Sequence, residues 1–304
     1  MARHFRRALF STDRRRIAVP TSNLSPRAVV AVTQQCPPPT HPPCSCDPAD
    51  LDIDRDTALR GTMPRYASHV VIGTGATDWP SRIEFAPDGG VASRLKRSLK
   101  KHGDPFAPVL VTNSSLPAAA AAGQASVHVF PQGWWLPRLS DRQLDGFAAS
   151  LSTPTTATAT PTPAAPATVT PTTASTPTTP ATRVQVDTPT VLICSHLSRD
   201  SRCGAYYEPL RAEFEAVLRR LQLHERVTVA ATSHLGGHKW AGNVIVYMPS
   251  GGPEGAAGWG VWYGRVGVRD VCGIVSETIV HGRVVGELVR GVVGRELEDE
   301  GLGE

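Results

Sequence analysis

The stretch TVLICSHLSRDSRCG, residues 190–204, decides the fold of the C-terminal half of the chain. Its first five residues, Thr190–Cys194, form a short apolar run, which indicates a buried strand. The residues up to Gly204 are polar and predict a loop. Beyond them, apolar residues recur at the spacing of one helix face: Leu210, Phe214, Val217, Leu218 and Leu221.

Three further apolar runs follow, and each predicts a strand: Val227–Ala231, Val244–Met248 and Val261–Val266. A last helical spacing closes the region and predicts one helix: Val275, Ile279, Val284, Leu288 and Val292. The order is therefore strand, helix, three strands, helix. That order is typical of a thioredoxin-like α/β layout over residues 187–294, with the loops gathered at strand ends.

The N-terminal half, residues 36–150, predicts a second and smaller α/β domain. Short strands are expected near Ser68–Gly73, Pro108–Thr112 and Val127–Phe130, with helical character over Val91–Lys101. Ser140 followed by Gln143 is typical of a capping box that begins one more helix.

Composition marks the segments between and around these regions. Residues 151–183 are rich in Thr, Pro and Ala, which bury little apolar surface, so we expect a disordered linker. Residues 295–304 form an acidic tail. No run of about 18 apolar residues occurs, so the sequence predicts no membrane span.

Positive charge is concentrated at the N-terminus. Residues 1–16 carry +5 through six arginines and one aspartate, and without them the net charge of the chain falls from +4 to −1. The basic balance therefore does not indicate a nucleic-acid partner. Residues 1–30 resemble a mitochondrial targeting segment, which predicts a protein of the matrix, where cysteines are mostly reduced. The alternative is a disordered basic tail.

Four side chains that can bind soft or borderline metals fall after two of the predicted strands. Cys194 and Cys203 enclose eight residues, and His234 and His238 enclose three. If the two strands are neighbours, the four side chains converge on one metal site. The spacing differs from that of a zinc finger, which usually opens with two to four residues between cysteines.

The two glycines between the histidines disfavour a helix and let the backbone wrap around a bulky group such as a cluster. From the residues alone, one alternative stays open. It is a core cysteine, a loop cysteine and two surface histidines with no metal.

Longer motifs resemble a known family. Residues 194–204 and 233–247 are similar to the two ligand loops of the sucrase/ferredoxin-like family. The following segments continue the resemblance, and the last three are similar to its mitochondrial branch: Trp262–Val266, Glu277–Gly282, Asp52–Asp54, Gly61–Pro64 and Asp78–Glu84.

This resemblance implies a thioredoxin-like ferredoxin fold with a 2Fe-2S cluster. Cys194 and Cys203 would ligate one iron, and His234 and His238 the other. The implied function is one-electron transfer in the mitochondrial matrix with an unidentified redox partner protein, serving the thiol redox state of mitochondrial proteins.

Two other functions are weighed against it. A structural zinc protein would use the same four ligands. A thiol–disulfide oxidoreductase would use Cys194 with Cys203, or Cys44 with Cys46, but the sequence contains no Cys-x-x-Cys motif.

The remaining candidates have less specific patterns. Cys36, Cys44 and Cys46 form either a second redox or metal site or a set of incidental thiols in a flexible segment. His196 is expected to be a loop residue that does not ligate, and Cys272 a small core residue. Lys239 and Trp240 shape either a docking surface or local packing.

Overall fold

The structure is a computed structural model that describes residues 29–40, 51–85, 90–152, 182–250 and 258–297. All but the last two residues of the predicted targeting segment, Cys44 and Cys46, nearly all of the predicted linker, and most of the acidic tail lie outside these residues.

The described residues form fourteen strands and four α-helices. The strands are β1 (Val29–Val30), β2 (Val32–Thr33), β3 (Ser68–Gly73), β4 (Val109–Ser114), β5 (Gln124–Phe130), β6 (Trp134–Ser140), β7 (Val184–Gln185), β8 (Thr190–Cys194), β9 (Thr228–Thr232), β10 (Val244–Met248), β11 (Trp259–Tyr263), β12 (Val284–Val285), β13 (Val289–Val293) and β14 (Glu296–Leu297). The α-helices are α1 (Val91–His102), α2 (Leu144–Ser152), α3 (Ser201–Arg220) and α4 (Val271–Ile274). In the described part of the chain, none of these helices combines the length and the apolar character that crossing a membrane requires.

One ten-stranded sheet runs through both halves, in the order β13-β11-β10-β8-β9-β4-β3-β5-β6-β7. In the C-terminal half, β8 and β9 are parallel, β10 is antiparallel to β8, and β11 is antiparallel to β10. Across the sheet these four strands therefore lie in the order β9, β8, β10, β11, with the first strand of this half between the second and the third. This is the arrangement of a thioredoxin-like sheet, so the predicted layout is confirmed.

The N-terminal half repeats the same topology. Strands β3 and β4 are parallel, β5 is antiparallel to β3, and β6 is antiparallel to β5. Helix α1 connects the parallel pair and α2 follows the fourth strand, as α3 and α4 do in the other half. The two copies meet where β4 pairs antiparallel with β9 at Ser114 and Thr232. An approximate two-fold axis therefore relates the halves.

The strands of the C-terminal half are apolar because both faces of the sheet are covered. All five residues of β8 and all five of β10 are buried, as expected for inner strands between two layers. The predicted face of α3 packs on one side of the sheet through four buried residues, Leu210, Phe214, Val217 and Leu218. The fifth predicted residue, Leu221, follows the end of the helix and is exposed. Asp200 begins this helix, since its carboxylate accepts from the Arg202 backbone N–H at 3.1 Å.

Two predictions in this half are wrong. The polar loop does not reach Gly204, because the Asp200 cap starts α3 at Ser201 and places Cys203 in its first turn. The closing helix also ends early: α4 continues as a π-helical turn over Val275–Val280 and then stops. Gly282 adopts a left-handed φ of 68° that a helix cannot continue through. The valines beyond it extend into β12 and β13, because β-branched residues suit strands and β11 offers an edge to pair with.

The N-terminal predictions hold with one omission. The strands near Ser68, Pro108 and Val127 and the helix at Val91 are present, and Ser140 with Gln143 forms the capping box. Strand β6 was not predicted, because Pro137 interrupts its apolar pattern. Strand β6 has a β-bulge at this point. Ala125 pairs with Leu139 and Val127 pairs with Leu136, so one residue of β5 lies opposite two residues of β6. Proline is tolerated in such a bulge since no ladder hydrogen bond is lost.

Residues 29–40 wrap the C-terminal half. Strand β1 pairs with β14, and β2 pairs with β12, both in parallel. The half-buried Cys36 donates from Sγ to the Asp270 carbonyl at 3.4 Å, and burial raises its pKa to about 12. Cys36 is therefore packed against the C-terminal half rather than an incidental thiol in a flexible segment. Cys272 is buried, as expected for a core residue.

The halves share a buried hydrogen-bonded junction. The Tyr247 hydroxyl lies 2.8 Å from the Tyr66 hydroxyl and 2.8 Å from His69 Nδ1. His69 Nε2 lies 2.8 Å from Thr112 Oγ1, and burial lowers the pKa of His69 to about 3, so the ring is neutral. The Phe130 ring stacks on Tyr247 at 4.3 Å. These contacts bury side chains of both halves in one shared core.

We expect Tyr247→Phe to lower the free energy of unfolding of the whole chain by about 1–3 kcal/mol, because it leaves buried polar partners without their hydrogen bond. Denaturant unfolding followed by tryptophan fluorescence should show one transition at lower midpoint. Phe106→Ala is the control, since Phe106 is 95% exposed and should change stability by under about 0.5 kcal/mol. Two separate transitions, only one of them shifted, would contradict a shared core.

Candidate metal centre

The parallel pairing of β8 and β9 brings the predicted ligands together. Cys194 is the last residue of β8 and lies opposite Thr232, the last residue of β9, so His234 follows at the same sheet edge. Cys203 approaches from the first turn of α3. One ligand atom each from Cys194, Cys203 and His234 lie within 4.8 Å of one another. Three of the four predicted ligands therefore form one group.

The fourth predicted ligand lies at the rim of this group. The His238 ring centroid is 5.6 Å from that of His234, and its side chain is 48% exposed. Its Nδ1 lies 3.9 Å from a carboxylate oxygen of Asp200. His238 is thus adjacent to the three donors without joining the compact set.

The donors fit a metal or cluster. Buried ring nitrogens normally have a hydrogen-bond partner, yet His234 Nδ1 is buried and has none among the described residues. Two sulfurs and an imidazole suit zinc or an iron–sulfur cluster. A metal atom bound here would accept the electron pair of His234 Nδ1 and so supply the partner that this nitrogen lacks.

The two thiols act as a pair. A hydrogen bond from Cys203 holds the pKa of Cys194 well below its usual value, helped by His234, although burial opposes the shift. The adjacent Cys194 thiolate and burial raise the pKa of Cys203. One proton is therefore shared between two buried sulfurs, and a bound cation would displace it.

The two glycines of the histidine loop behave as their sequence predicts. Gly236 and Gly237 adopt left-handed φ values of 79° and 75°. At Gly237 a Cβ atom would lie 2.6 Å from Trp240 Cε3 and 2.8 Å from Arg290 Nη2, so no side chain fits. The backbone therefore turns closely around the site instead of forming a helix.

His196 has a role that its sequence position did not reveal. As expected it does not join the ligand group, but it is buried and orients a ligand. Its Nδ1 accepts from the His234 backbone N–H at 3.0 Å, and its Nε2 donates to the Trp79 and Pro80 carbonyls at 3.0 and 3.1 Å. Since carbonyl oxygens only accept, the proton lies on Nε2. No local pattern distinguishes such a histidine from an exposed one.

The N-terminal half supplies part of the wall around the centre. The Asp78 carboxylate accepts from the Ser198 backbone N–H at 3.1 Å, and the Trp79 ring packs edge-on to His196 at 5.8 Å. Lys239 pairs with Asp54 at 2.9 Å, and Trp240 is buried, which favours local packing for these two residues.

A cleft of about 360 Å³ opens beside His234. Both halves build it, and its polar lining includes three basic residues, Arg82, Lys96 and Arg199, and one acid, Glu84. Lys96 pairs with Glu84 at 3.4 Å. Solvent or a partner can therefore approach the histidine side of the centre, whereas the cysteine side is buried.

We expect His196→Phe to weaken metal binding about 10- to 100-fold, because the ring would pack against Trp79 but no longer hold His234. Anaerobic titration of the metal-free protein with Co²⁺, followed by thiolate-to-cobalt absorption, measures the affinity. His224→Phe, at an exposed histidine, is the matched control. Equal metal affinities of the two variants would contradict a role of His196 in the metal centre.

Several known proteins are similar in sequence to this chain. "Altered inheritance of mitochondria protein 32" of Clavispora lusitaniae is 34% identical over 84% of this chain and 94% of its own length. The protein of the same name from Debaryomyces hansenii is 29% identical over 89% and 100%. "Actin patches distal protein 1" of Saccharomyces cerevisiae is 25% identical over 76% and 75%.

A solved thioredoxin-like [2Fe-2S] ferredoxin from Aquifex aeolicus is similar over 36% of this chain and 94% of that chain, with 23% identity and a TM-score of 0.26. The family described as sucrase/ferredoxin-like matches residues 59–291, which is more than half of the sequence. With the first of these relatives above 30% identity over most of its length, the chain belongs to the sucrase/ferredoxin-like family.

Proposed function

We propose that this protein is a one-electron redox protein whose centre is a 2Fe-2S cluster. Cys194 and Cys203 would hold one iron, and His234 and His238 the other. The observation that carries the proposal is the convergence of two buried sulfurs and an unpartnered buried imidazole nitrogen at the end of two parallel strands. Membership in the sucrase/ferredoxin-like family supports it.

The division of the four ligands favours a cluster over a single zinc ion. Zinc in a structural site takes four donors at about 2.0–2.3 Å in one tetrahedron. Here Cys194 and Cys203 are 2% and 1% exposed, whereas His238 lies at the surface and outside the compact group. Three donors in one compact group with the fourth at its rim do not form one tetrahedron, and this separation of His238 is compatible with two metal atoms.

Their depth also argues against thiol–disulfide chemistry. Both cysteine sulfurs lie below the surface, out of reach of a protein disulfide.

When bound, a 2Fe-2S cluster accepts and releases single electrons. The chain's own residues set the conditions for that exchange. Two thiolates bring −2, while two neutral imidazoles bring no charge, which stabilises the reduced state more than four thiolates do. Centres with this ligand set have potentials of about −150 to +300 mV, against about −400 mV for all-cysteine clusters.

The cleft beside His234 offers a route for electron exchange with a partner protein. It opens on the histidine side, and the nearby cations Arg82 and Arg199 would attract an acidic surface. We place this exchange in the mitochondrial matrix, in maintenance of protein thiol states. The Arg-rich residues 1–30 and relatives named for mitochondrial inheritance support that location.

Anaerobic, iron-replete purification tests the cluster. We expect two irons and two acid-labile sulfides per chain, no stoichiometric zinc, visible absorption, and an EPR signal after reduction. Cys194→Ser should abolish all of these, whereas Cys272→Ser, at a buried cysteine outside the group, should keep them. One zinc per chain without sulfide would instead establish the structural zinc function.

We expect the reduction potential to fall as pH rises from about 6 to 9. The ring nitrogen of each ligand histidine that faces away from the iron can hold a proton, and reduction adds negative charge that favours protonation. Potentiometric titration at several pH values measures the slope. His234→Cys and His238→Cys should each retain a cluster at lower potential, and a flat pH profile in the parent protein would contradict histidine ligation.

A further inference from the structure

Arg290, on β13, is a buried cation without a carboxylate partner among the described residues. Its side chain is 1% exposed and packs over the rings of Trp240 and Trp262, at 5.1 and 5.6 Å. Its guanidinium donates only to neutral oxygens: Thr62 Oγ1 at 3.1 Å, the Thr62 carbonyl at 2.9 Å, the Gly236 carbonyl at 3.0 Å and Asn243 Oδ1 at 2.6 Å.

A buried charge is destabilising unless an opposite charge lies near it. Burial lowers the pKa of Arg290 to about 10, which still leaves the guanidinium charged at neutral pH, and Cys194 and Cys203 oppose that shift. Asn243 joins the guanidinium to the cysteine strand, since its Oδ1 accepts from Arg290 Nη1 at 2.6 Å and its backbone carbonyl accepts from the Cys194 N–H at 3.0 Å. The guanidinium and the candidate metal centre form one electrostatic unit.

We propose that Arg290 is the counter-charge of the cysteine side of the metal centre and raises the reduction potential of the cluster bound there. This inference rests on the function proposed above. Reduction by one electron adds one negative charge to the centre. A fixed positive charge in the same low-dielectric interior stabilises that reduced state more than the oxidised state.

Arg290 also positions both ligand segments. Its Nη1 donates to the Gly236 carbonyl and to Asn243 Oδ1, and Asn243 Nδ2 donates to the Gly237 carbonyl at 3.0 Å. The backbone carbonyl of Asn243 accepts from the Cys194 N–H at 3.0 Å. One guanidinium therefore connects the histidine loop to the strand that carries the first cysteine.

The N-terminal half holds this arginine in place. The backbone N–H groups of Gly61 and Met63 donate to the Arg290 carbonyl at 2.9 and 3.3 Å, while Thr62 accepts from the side chain. A Cβ atom at Gly291 would lie 2.7 Å from Met63 Cβ, so the two segments are in close contact. The motif Gly61–Pro64 thereby gains a role, which is to fix a positive charge beside the cysteines.

Arg290→Met and Arg290→Lys, compared in the full chain, separate the charge from the packing. Each variant is purified anaerobically, its iron and sulfide are quantified, and its potential is measured by titration monitored with visible absorption. We expect a lower potential in Arg290→Met than in the parent protein, with Arg290→Lys closer to the parent. Arg220→Met, at an exposed arginine, should leave the potential unchanged.

Asn243→Asp is the second variant, in case Arg290→Met does not fold. It keeps the arginine but places a carboxylate against Nη1, so it should lower the potential in the same direction. If Arg290→Met and Asn243→Asp both lose the cluster while Arg290→Lys retains it, the result would also support a requirement for the positive charge at position 290. Loss from all three would assign Arg290 to folding alone and overturn the inference.

The outcomes distinguish this inference from the proposed function. A parent protein with a cluster, and an Arg290→Met or Asn243→Asp variant with unchanged potential, would overturn the role of Arg290 only. A parent protein without iron and sulfide would overturn both.

Discussion

The parallel pairing of β8 with β9 is the constraint on which the candidate centre depends. Parallel neighbours end at the same edge of a sheet, so Cys194 and His234 emerge side by side although forty residues separate them in the chain. Helix α3 forms the crossover between these strands, and its capped first turn returns Cys203 to that edge. The ligand group is thus a direct product of strand order and helix start.

The repeated topology explains how the rest of the molecule serves this edge. Both halves have a parallel pair, a crossover helix and two antiparallel strands, but only the C-terminal copy carries cysteines and histidines at its strand ends. The N-terminal copy contributes support instead. Its Trp79 and Pro80 carbonyls hold His196, and its Thr62 holds Arg290. The edge-to-edge joining of β4 and β9 brings these supports within reach.

Burial determines the electrostatics of the centre. One interior region holds the sulfurs of Cys194 and Cys203, the guanidinium of Arg290 and the unpartnered Nδ1 of His234. Water does not reach these groups, so it cannot solvate them. Such groups stabilise one another only when their geometry is held, and Asn243, His196 and the glycine turn hold it. The surface side, at His238 and the cleft, stays open to a partner.

Apolar patterning was enough to place most strands, the helix face of α3 and the thioredoxin-like order, because inner strands and packed helix faces require continuous burial. Motif resemblance named four candidate ligands, and the structure brings three of them into one group. The apolar pattern wrongly predicted a helix after Val280. Valines at helical spacing also form a strand when a neighbouring strand, here β11, is available for pairing. The roles of His196 and Arg290, and the start of α3 before Cys203, emerged only from the folded chain. Their partners lie up to 228 positions away, and no local spacing records which distant carbonyl or charge will face a side chain.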